Sequence, residues 1–165
     1  MSMEIKRLEE IDLELPPIRL RKNGVVEHKI VDDLLWIGGI GPVDENGESV
    51  YVGRIGAEFT VEDGYKAARL AGINVLRHIK DALGSFDRVD FVVKSMVHVS
   101  AVKGFGEIYK VADGFSDVLA EALGERGTHA RNAVGASTLQ GNMPVICDAI
   151  VKIRSCHCCT HGLHR

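Results

Sequence analysis

The spacing of apolar residues predicts two amphipathic helices, over 60–84 and 105–123. Thr60 is suited to be an N-cap, and Asp63 stands at the capping-box position three residues later. A glycine closes or follows each run and predicts its end. Gly114 lies inside the second run, where glycine costs a helix about 1 kcal/mol relative to alanine. We expect the second helix to bury a stripe formed by Phe105, Ile108, Tyr109, Ala112, Leu119 and Leu123.

Five segments have the composition or the alternation of β-strands, namely 25–37, 50–56, 89–99, 129–137 and 145–153. Asp32 and Asp33 mark a hairpin turn within the first segment. The third segment alternates, with one side formed by Val89, Phe91, Val93, Val97 and Val99. Its other side is polar and carries His98, which we interpret as a surface or interface residue.

The order of these elements predicts one α+β layer pair, a mixed sheet with both helices packed on one face. The second face of such a sheet needs a cover, and valines on both sides of some strands favour a partner subunit. No repeat or linker divides the sequence. We therefore predict a polar N-terminal extension over 1–24, a single domain over 25–154 and a Cys/His-rich tail over 155–165.

The composition excludes several classes of protein. The 165 residues have room for one ordinary domain. A net charge of −3, from 20 Lys plus Arg against 23 Asp plus Glu, disfavours strong binding to nucleic acid or to anionic membranes. Apolar runs are short and the N-terminus has no signal-peptide core, so we expect a soluble cytoplasmic protein.

All four cysteines lie from Cys147 onward, and the last ten residues hold three Cys and three His. A disulfide framework needs cysteines spread along the chain, so this clustering indicates a reduced compartment. We interpret Cys147 as a buried strand residue. The tail has spacings atypical of structural zinc sites, and we interpret it as disordered or adventitiously metal-binding. The sequence thus predicts no resident metal or cofactor.

The segment GERGTHARNAVGAS, residues 124–137, contains the best candidate for a ligand site. Strand alternation puts His129, Arg131, Ala133 and Gly135 on one face, and an Arg followed by two small residues has space beside it for a small ligand. A guanidinium binds a carboxylate through two parallel hydrogen bonds. The alternative interpretation is an ion pair between Arg131 and a neighbouring Asp or Glu. The common nucleotide-loop and nucleophile-elbow motifs are absent from the sequence.

GTHARNAVGAS, followed by MPV and DAIVKI, resembles the C-terminal signature of the RidA/YjgF family, also called endoribonuclease L-PSP or reactive-intermediate deaminases. LLWIGGIGPVDENG is similar to that family's strand-and-turn segment. VEDGYKAARLAGINVLRHIKDALGSFDRVDFVVKSMVHVS is similar to its first helix and the strand that follows. These collinear matches run from Leu15 to Ile153, and RxAVG is typical of a subgroup with an extended N-terminus.

The resemblance implies a chorismate-mutase-like α+β fold and a homotrimer with ligand clefts between subunits. It also implies hydrolysis of imine or enamine intermediates to a 2-oxo acid and ammonia without a cofactor, as in 2-iminobutanoate/2-iminopropanoate deaminases. The family's carboxylate-binding arginine falls on Arg131, its small-residue position on Ala133 and its cleft-lining glycine on Gly39.

The sequence departs from the active members at two positions. They carry on the last strand a Glu that positions the attacking water, and an alignment without gaps from Arg131 puts Ile146 there. The Tyr that they present from the first strand has no match either, because that region reads Val25-Val26-Glu27. Asp148, two residues after Ile146, lies on the same strand face, where we expect a structural role.

Three functions therefore remain open: an imine hydrolase, a non-catalytic trimer that binds small carboxylates, and an endoribonuclease. The third is disfavoured by the net charge and by the 5% content of aromatic residues.

Overall fold

The computed structural model of the chain describes residues 24–154, which form five strands and two α-helices. The strands are β1 (His28–Val31), β2 (Leu34–Ile40), β3 (Val89–Ser100), β4 (Ala130–Ala136) and β5 (Val145–Ile153), and the helices are α1 (Val61–Leu83) and α2 (Ile108–Leu123). Residues 1–23 of the predicted extension and the whole predicted tail lie outside the described residues.

The five strands form one mixed sheet in the order β1-β2-β5-β3-β4. β3 and β4 are parallel, and the other neighbours are antiparallel. β1 and β2 form the hairpin predicted around Asp32, whose φ of 55° lies in the left-handed region that tight turns use. Both helices pack on one face of the sheet, so the predicted α+β architecture is confirmed.

The start of α1 is fixed by the predicted capping box. The Thr60 side chain accepts the backbone N–H of Asp63 at 3.1 Å, and the Asp63 carboxylate accepts that of Thr60 at 3.0 Å. The helix ends at Gly84, whose φ of 74° is a left-handed C-cap.

Glycines allow α1 and α2 to approach closely. A Cβ at Gly114 of α2 would lie 2.2 Å from the carbonyl oxygen of Tyr65 on α1. A Cβ at Gly72 of α1 would lie 2.4 Å from Cγ1 of Val118 on α2. The atom that a Cβ at Gly114 would meet is backbone and cannot move aside as a side chain could. The two helices can therefore pack at this distance only because Gly114 has no side chain, although glycine lowers the helix propensity of α2.

The predicted strand over 50–56 is wrong. Within it, Gly53 and Gly56 have φ values of 147° and 86°, which interrupt an extended run. Only single bridges form there, from Ile55 to Phe59 and to Ala101.

The second helix begins at Ile108 rather than at Phe105. Gly104, with φ of 84°, precedes it in a turn that ends the loop from β3. Tyr109, predicted in the buried stripe, is 54% exposed. The rest of the stripe within α2 is buried as predicted at Ala112, Leu119 and Leu123. Val111, Phe115 and Val118, which the stripe did not include, are buried beside them against α1 and the sheet.

The predicted alternation in β3 is also wrong in its first half. Register shifts occur between Val89 and Phe91 and again between Val92 and Lys94. Each irregularity moves the following side chains to the other face. Val92 is therefore buried together with Val97, whereas Phe91 is 45% exposed.

The two faces of the sheet differ in their surroundings. The face under the helices is apolar and closely packed, and it includes Cys147, which is fully buried as predicted. The opposite face, called the open face below, carries half-exposed Trp36 and Val134 and has no cover from the described residues. Within residues 24–154, no helix is long and apolar enough to cross a membrane.

Candidate functional site

Arg131 lies on β4, an edge strand, and its side chain is directed towards α2. Nη1 donates to Oγ of Ser116 at 2.9 Å, and Nη2 donates to Oδ1 of Asp113 at 2.9 Å. The Arg131 side chain is 19% exposed and that of Asp113 is 46% exposed. The ion pair with a neighbouring acid, the alternative interpretation from the sequence, is thus present within the chain.

These contacts hold the guanidinium without saturating it. A longer contact of 3.5 Å runs from Nη2 to the carbonyl of Tyr109. A guanidinium has five N–H donors, and the contacts to Ser116, Asp113 and Tyr109 use three of them. The two donors left lie on Nε and Nη1, which do not form a parallel pair, so a bidentate carboxylate has to displace the Asp113 carboxylate or the long Tyr109 contact from Nη2.

His129 continues this network behind Ser116. Its Nδ1 lies 2.7 Å from the carbonyl oxygen of Gly127, and its Nε2 lies 3.2 Å from Oγ of Ser116. Because a carbonyl only accepts, Nδ1 carries the proton and Nε2 of the neutral ring is an acceptor. The Ser116 hydroxyl can then donate to His129 while its oxygen accepts from Arg131.

The pKa of His129 lies below its ordinary value. Burial is the largest cause, and the charge of Arg131 acts in the same direction. The hydrogen bond to Gly127 opposes them by raising the pKa. His129 is therefore neutral at neutral pH, as its role as an acceptor requires.

The small residues beyond Arg131 on β4 are covered by α2. A Cβ at Gly135 would lie 2.8 Å from Cδ1 of Ile108, and Ala133 packs against the core. Of the space predicted beside Arg131, the part over Gly135 is therefore filled by Ile108. Space for a ligand has to lie nearer to the guanidinium and to the sheet edge.

Gly39 lies on the open face, opposite to the face of Arg131. A Cβ at Gly39 would lie 2.9 Å from Cγ2 of Ile146 on β5. Two strands, β5 and β3, separate β2 from β4, so about 14 Å of sheet lies between Gly39 and Arg131 at about 4.8 Å per strand. A single chain does not bring these predicted site residues into one pocket.

The carboxylate nearest to Ile146 in sequence on the open face is that of Asp148. Its Oδ1 accepts the backbone N–H of Met96 at 3.0 Å, and its Oδ2 lies 4.0 Å from Nε2 of His98. Burial raises the pKa of Asp148, although the Met96 hydrogen bond and the nearby charge of His98 act against it. Asp148 is thus a half-buried carboxylate beside a histidine.

Residues 5–151 match the family model described as "YjgF/chorismate mutase-like, putative endoribonuclease". The chain belongs to this family. Protein TCP17 of Trypanosoma cruzi is 34% identical over 149 residues, which cover 90% of this chain and 92% of that protein. The solved structure of Atu1372 from Agrobacterium tumefaciens, a protein of unknown function, has 34% identity and a TM-score of 0.81, with 91% of each chain covered.

More distant YjgF-family structures share the fold. RidA from an Antarctic Psychrobacter has 19% identity and a TM-score of 0.58, with 85% of this chain and 97% of that chain covered. This likeness shows the fold alone. YjgF-family proteins are typically oligomers that bind small molecules.

The sequence did not single out Asp113 and Ser116. They stand three residues apart on α2 and therefore share one helix face, and this spacing is the sequence feature that could have paired them. That signal does not say which strand the face meets, since the pairing of α2 with β4 is a tertiary contact. His129, in contrast, was placed on the face of Arg131 by strand alternation.

Among residues 24–154, no group of three or more His, Cys, Asp or Glu is arranged to hold a metal ion. Burial raises the pKa of the Cys147 thiol well above its ordinary value. Cys147 is therefore a protonated core residue rather than a nucleophile.

Proposed function

We propose that this YjgF-family protein hydrolyses imines of small 2-oxo acids, with Arg131 binding the substrate carboxylate. The observation that carries the proposal is the partly shielded guanidinium on an edge strand, held from behind by Ser116 and paired at Nη2 with the half-exposed carboxylate of Asp113, whose place a substrate carboxylate can take. In the reaction, the oxygen of water adds to the imine carbon, the C–N bond breaks and the nitrogen leaves as ammonia. Each turnover yields a 2-oxo acid, and no cofactor is required.

We further propose that the site forms in a cytoplasmic homotrimer, between two copies of the chain. Gly39 of one copy would line the cleft that contains Arg131 and Ala133 of the next, with backbone groups near Gly39 and Ala133 orienting the imine. The separation of Gly39 from Arg131 within one chain supports this assignment, as do the half-exposed apolar side chains of Trp36 and Val134 on the open face.

A non-catalytic carboxylate-binding trimer is the second candidate, and Ile146 favours it specifically. An isoleucine in contact with Gly39 cannot orient a water, so any water would depend on Asp148. RNA cleavage has less support, because a net charge of −3 provides no general attraction for the phosphate backbone.

The test is to generate an imine in situ from an amino acid and to measure the release of ammonia. We expect Arg131→Ala to abolish turnover, and Arg54→Ala, an exposed arginine outside the site, to leave it unchanged. Ile146→Glu is expected to raise the rate at least about tenfold, since a positioned acid–base group contributes on the order of 10²-fold or more. Absence of turnover in the wild type, with Arg131-dependent binding of pyruvate, would select the non-catalytic candidate.

A further inference from the structure

We propose that His129 is a positioning residue for Arg131, acting through the hydroxyl group of Ser116. This inference rests on the proposed function, since it concerns the same guanidinium. The carbonyl of Gly127 fixes the His129 tautomer, Nε2 then accepts the Ser116 hydroxyl proton, and the serine oxygen is free to accept Nη1 of Arg131. In this series of hydrogen bonds, which group donates and which accepts at each step follows from the step before it.

Serine alone would not hold the guanidinium in one orientation. A hydroxyl group rotates freely unless its proton has an acceptor, and its lone pairs rotate with it. His129 supplies that acceptor, and Phe115, whose ring meets the imidazole edge-on at 5.8 Å, restricts the ring. Asp113 holds only the other nitrogen, from a half-exposed position. The ordered side of the guanidinium is therefore the side facing Ser116.

Protonation of His129 reverses the hydrogen bond between its Nε2 and Ser116. Nε2 becomes a donor, so the Ser116 oxygen then receives two N–H groups and its own proton must turn away. The imidazolium also lies beside the guanidinium of Arg131, which repels it. Of the other charged groups nearby, Asp113 of α2 pairs with Arg131, and Arg126 of the preceding turn donates to backbone carbonyls before and within β3. The orientation of Arg131 should thus follow the protonation of His129.

Two substitutions separate the two ring nitrogens. His129→Gln places an amide oxygen near the position of Nε2, so it keeps an acceptor for Ser116 and does not titrate. His129→Asn keeps a donor near the position of Nδ1 for Gly127 but does not reach Ser116. Ser116→Ala removes the link itself and leaves His129 in place.

The experiment uses the full chain, labelled with ¹⁵N-arginine, and pyruvate as the probe. We expect Ser116→Ala and His129→Asn to weaken pyruvate binding about fivefold, the loss of about one hydrogen bond, and His129→Gln to stay within about twofold of the wild type. The Nη signals of Arg131 should be sharp and separate in the wild type and in His129→Gln, and averaged in the other two. They should change as His129 titrates in the wild type but not in His129→Gln.

Thermal unfolding of each variant shows that it is folded before binding is compared. Unchanged Arg131 signals and unchanged pyruvate affinity in both His129→Asn and Ser116→Ala would overturn the inference. So would Arg131 signals that ignore the titration of His129. The Arg131 signals test the positioning without any turnover. A wild type that hydrolyses no imine but shows the expected signals would therefore refute the hydrolase and leave the role of His129 standing.

Discussion

The contact between α1 and α2 predicts that Gly114→Ala destabilises the protein, although alanine is the better helix former. Gly114 stands in the interior of α2, where the substitution alone would add about 1 kcal/mol to the free energy of unfolding. The new Cβ would, however, lie 2.2 Å from the Tyr65 carbonyl oxygen and 3.2 Å from the Arg69 amide nitrogen. Both are backbone atoms of a helix and cannot rotate away.

The size of the effect follows from the displacement that the Cβ requires. Moving it from 2.2 Å to an ordinary contact separates the helices locally by about 1 Å, which forfeits a quarter to a half of the dispersion energy of the atoms that lose contact. Overpacking of this kind costs about 3 kcal/mol at the upper end of its usual range. After the gain in helix propensity, we expect a net loss of about 2 kcal/mol, or about 4–8 °C in Tm.

Urea and thermal unfolding measure this loss directly. The matched control is Gly106→Ala, because Gly106 has ordinary φ and no atom within 4 Å of the added Cβ. We expect the control to be neutral or stabilising by less than about 1 kcal/mol. Asp113 and Ser116 flank Gly114 on α2, so the displaced helix should also broaden the Arg131 guanidinium signals. Gly114→Ala as stable as Gly106→Ala would refute the reasoning.

Two further predictions concern stability. Thr60→Ala removes one half of the capping box and should lower the free energy of unfolding by about 1 kcal/mol. The control Thr138→Ala, at an exposed position, should leave that free energy unchanged. Equal urea midpoints for the two variants would contradict the prediction. Burial lowers the folded-state pKa of both His78 and His129, so the unfolded chain takes up protons first, and stability should fall as pH falls below about 6.5 through the folded pKa values. Urea unfolding between pH 8 and pH 5 tests this, and a midpoint that stays level or rises on acidification would exclude it.

Periodicity and end signals were sufficient to predict α1, since Thr60, Asp63 and Gly84 each act within a few residues along the chain. They were insufficient in β3, because the two irregularities before Ser95 are set by pairing with β5, which no local pattern in β3 contains. Alternation predicted β4 to within one residue at each end and put Arg131 on the same face as Ala133 and Gly135. It did not predict the partners of Arg131, because Asp113 and Ser116 reach that side chain from a helix 15 or more residues earlier.

The glycines divide in the same way. Gly84 could be predicted as a helix end from sequence, since its left-handed φ is a local requirement. From the sequence, Gly114 only lowers the helix propensity of α2. Its role in the close packing of α1 and α2 follows from the position of the Tyr65 carbonyl. A glycine that leaves room for a neighbouring helix cannot be recognised from the local sequence, because the neighbour is known only from the tertiary structure.

The ion pair between Arg131 and Asp113 does not prevent Arg131 from binding a ligand. A pair whose acid is 46% exposed is screened by solvent, and such pairs contribute at most about 1 kcal/mol. If an incoming carboxylate displaced Asp113 entirely, its affinity would fall by no more than about fivefold at that energy. Asp113 can turn into water at this small cost, whereas Ser116, held by His129, stays in place. The half-exposed Asp113 thus balances the charge of Arg131 while no ligand is bound. The partly buried Ser116 keeps the guanidinium oriented for the ligand carboxylate that takes the place of Asp113.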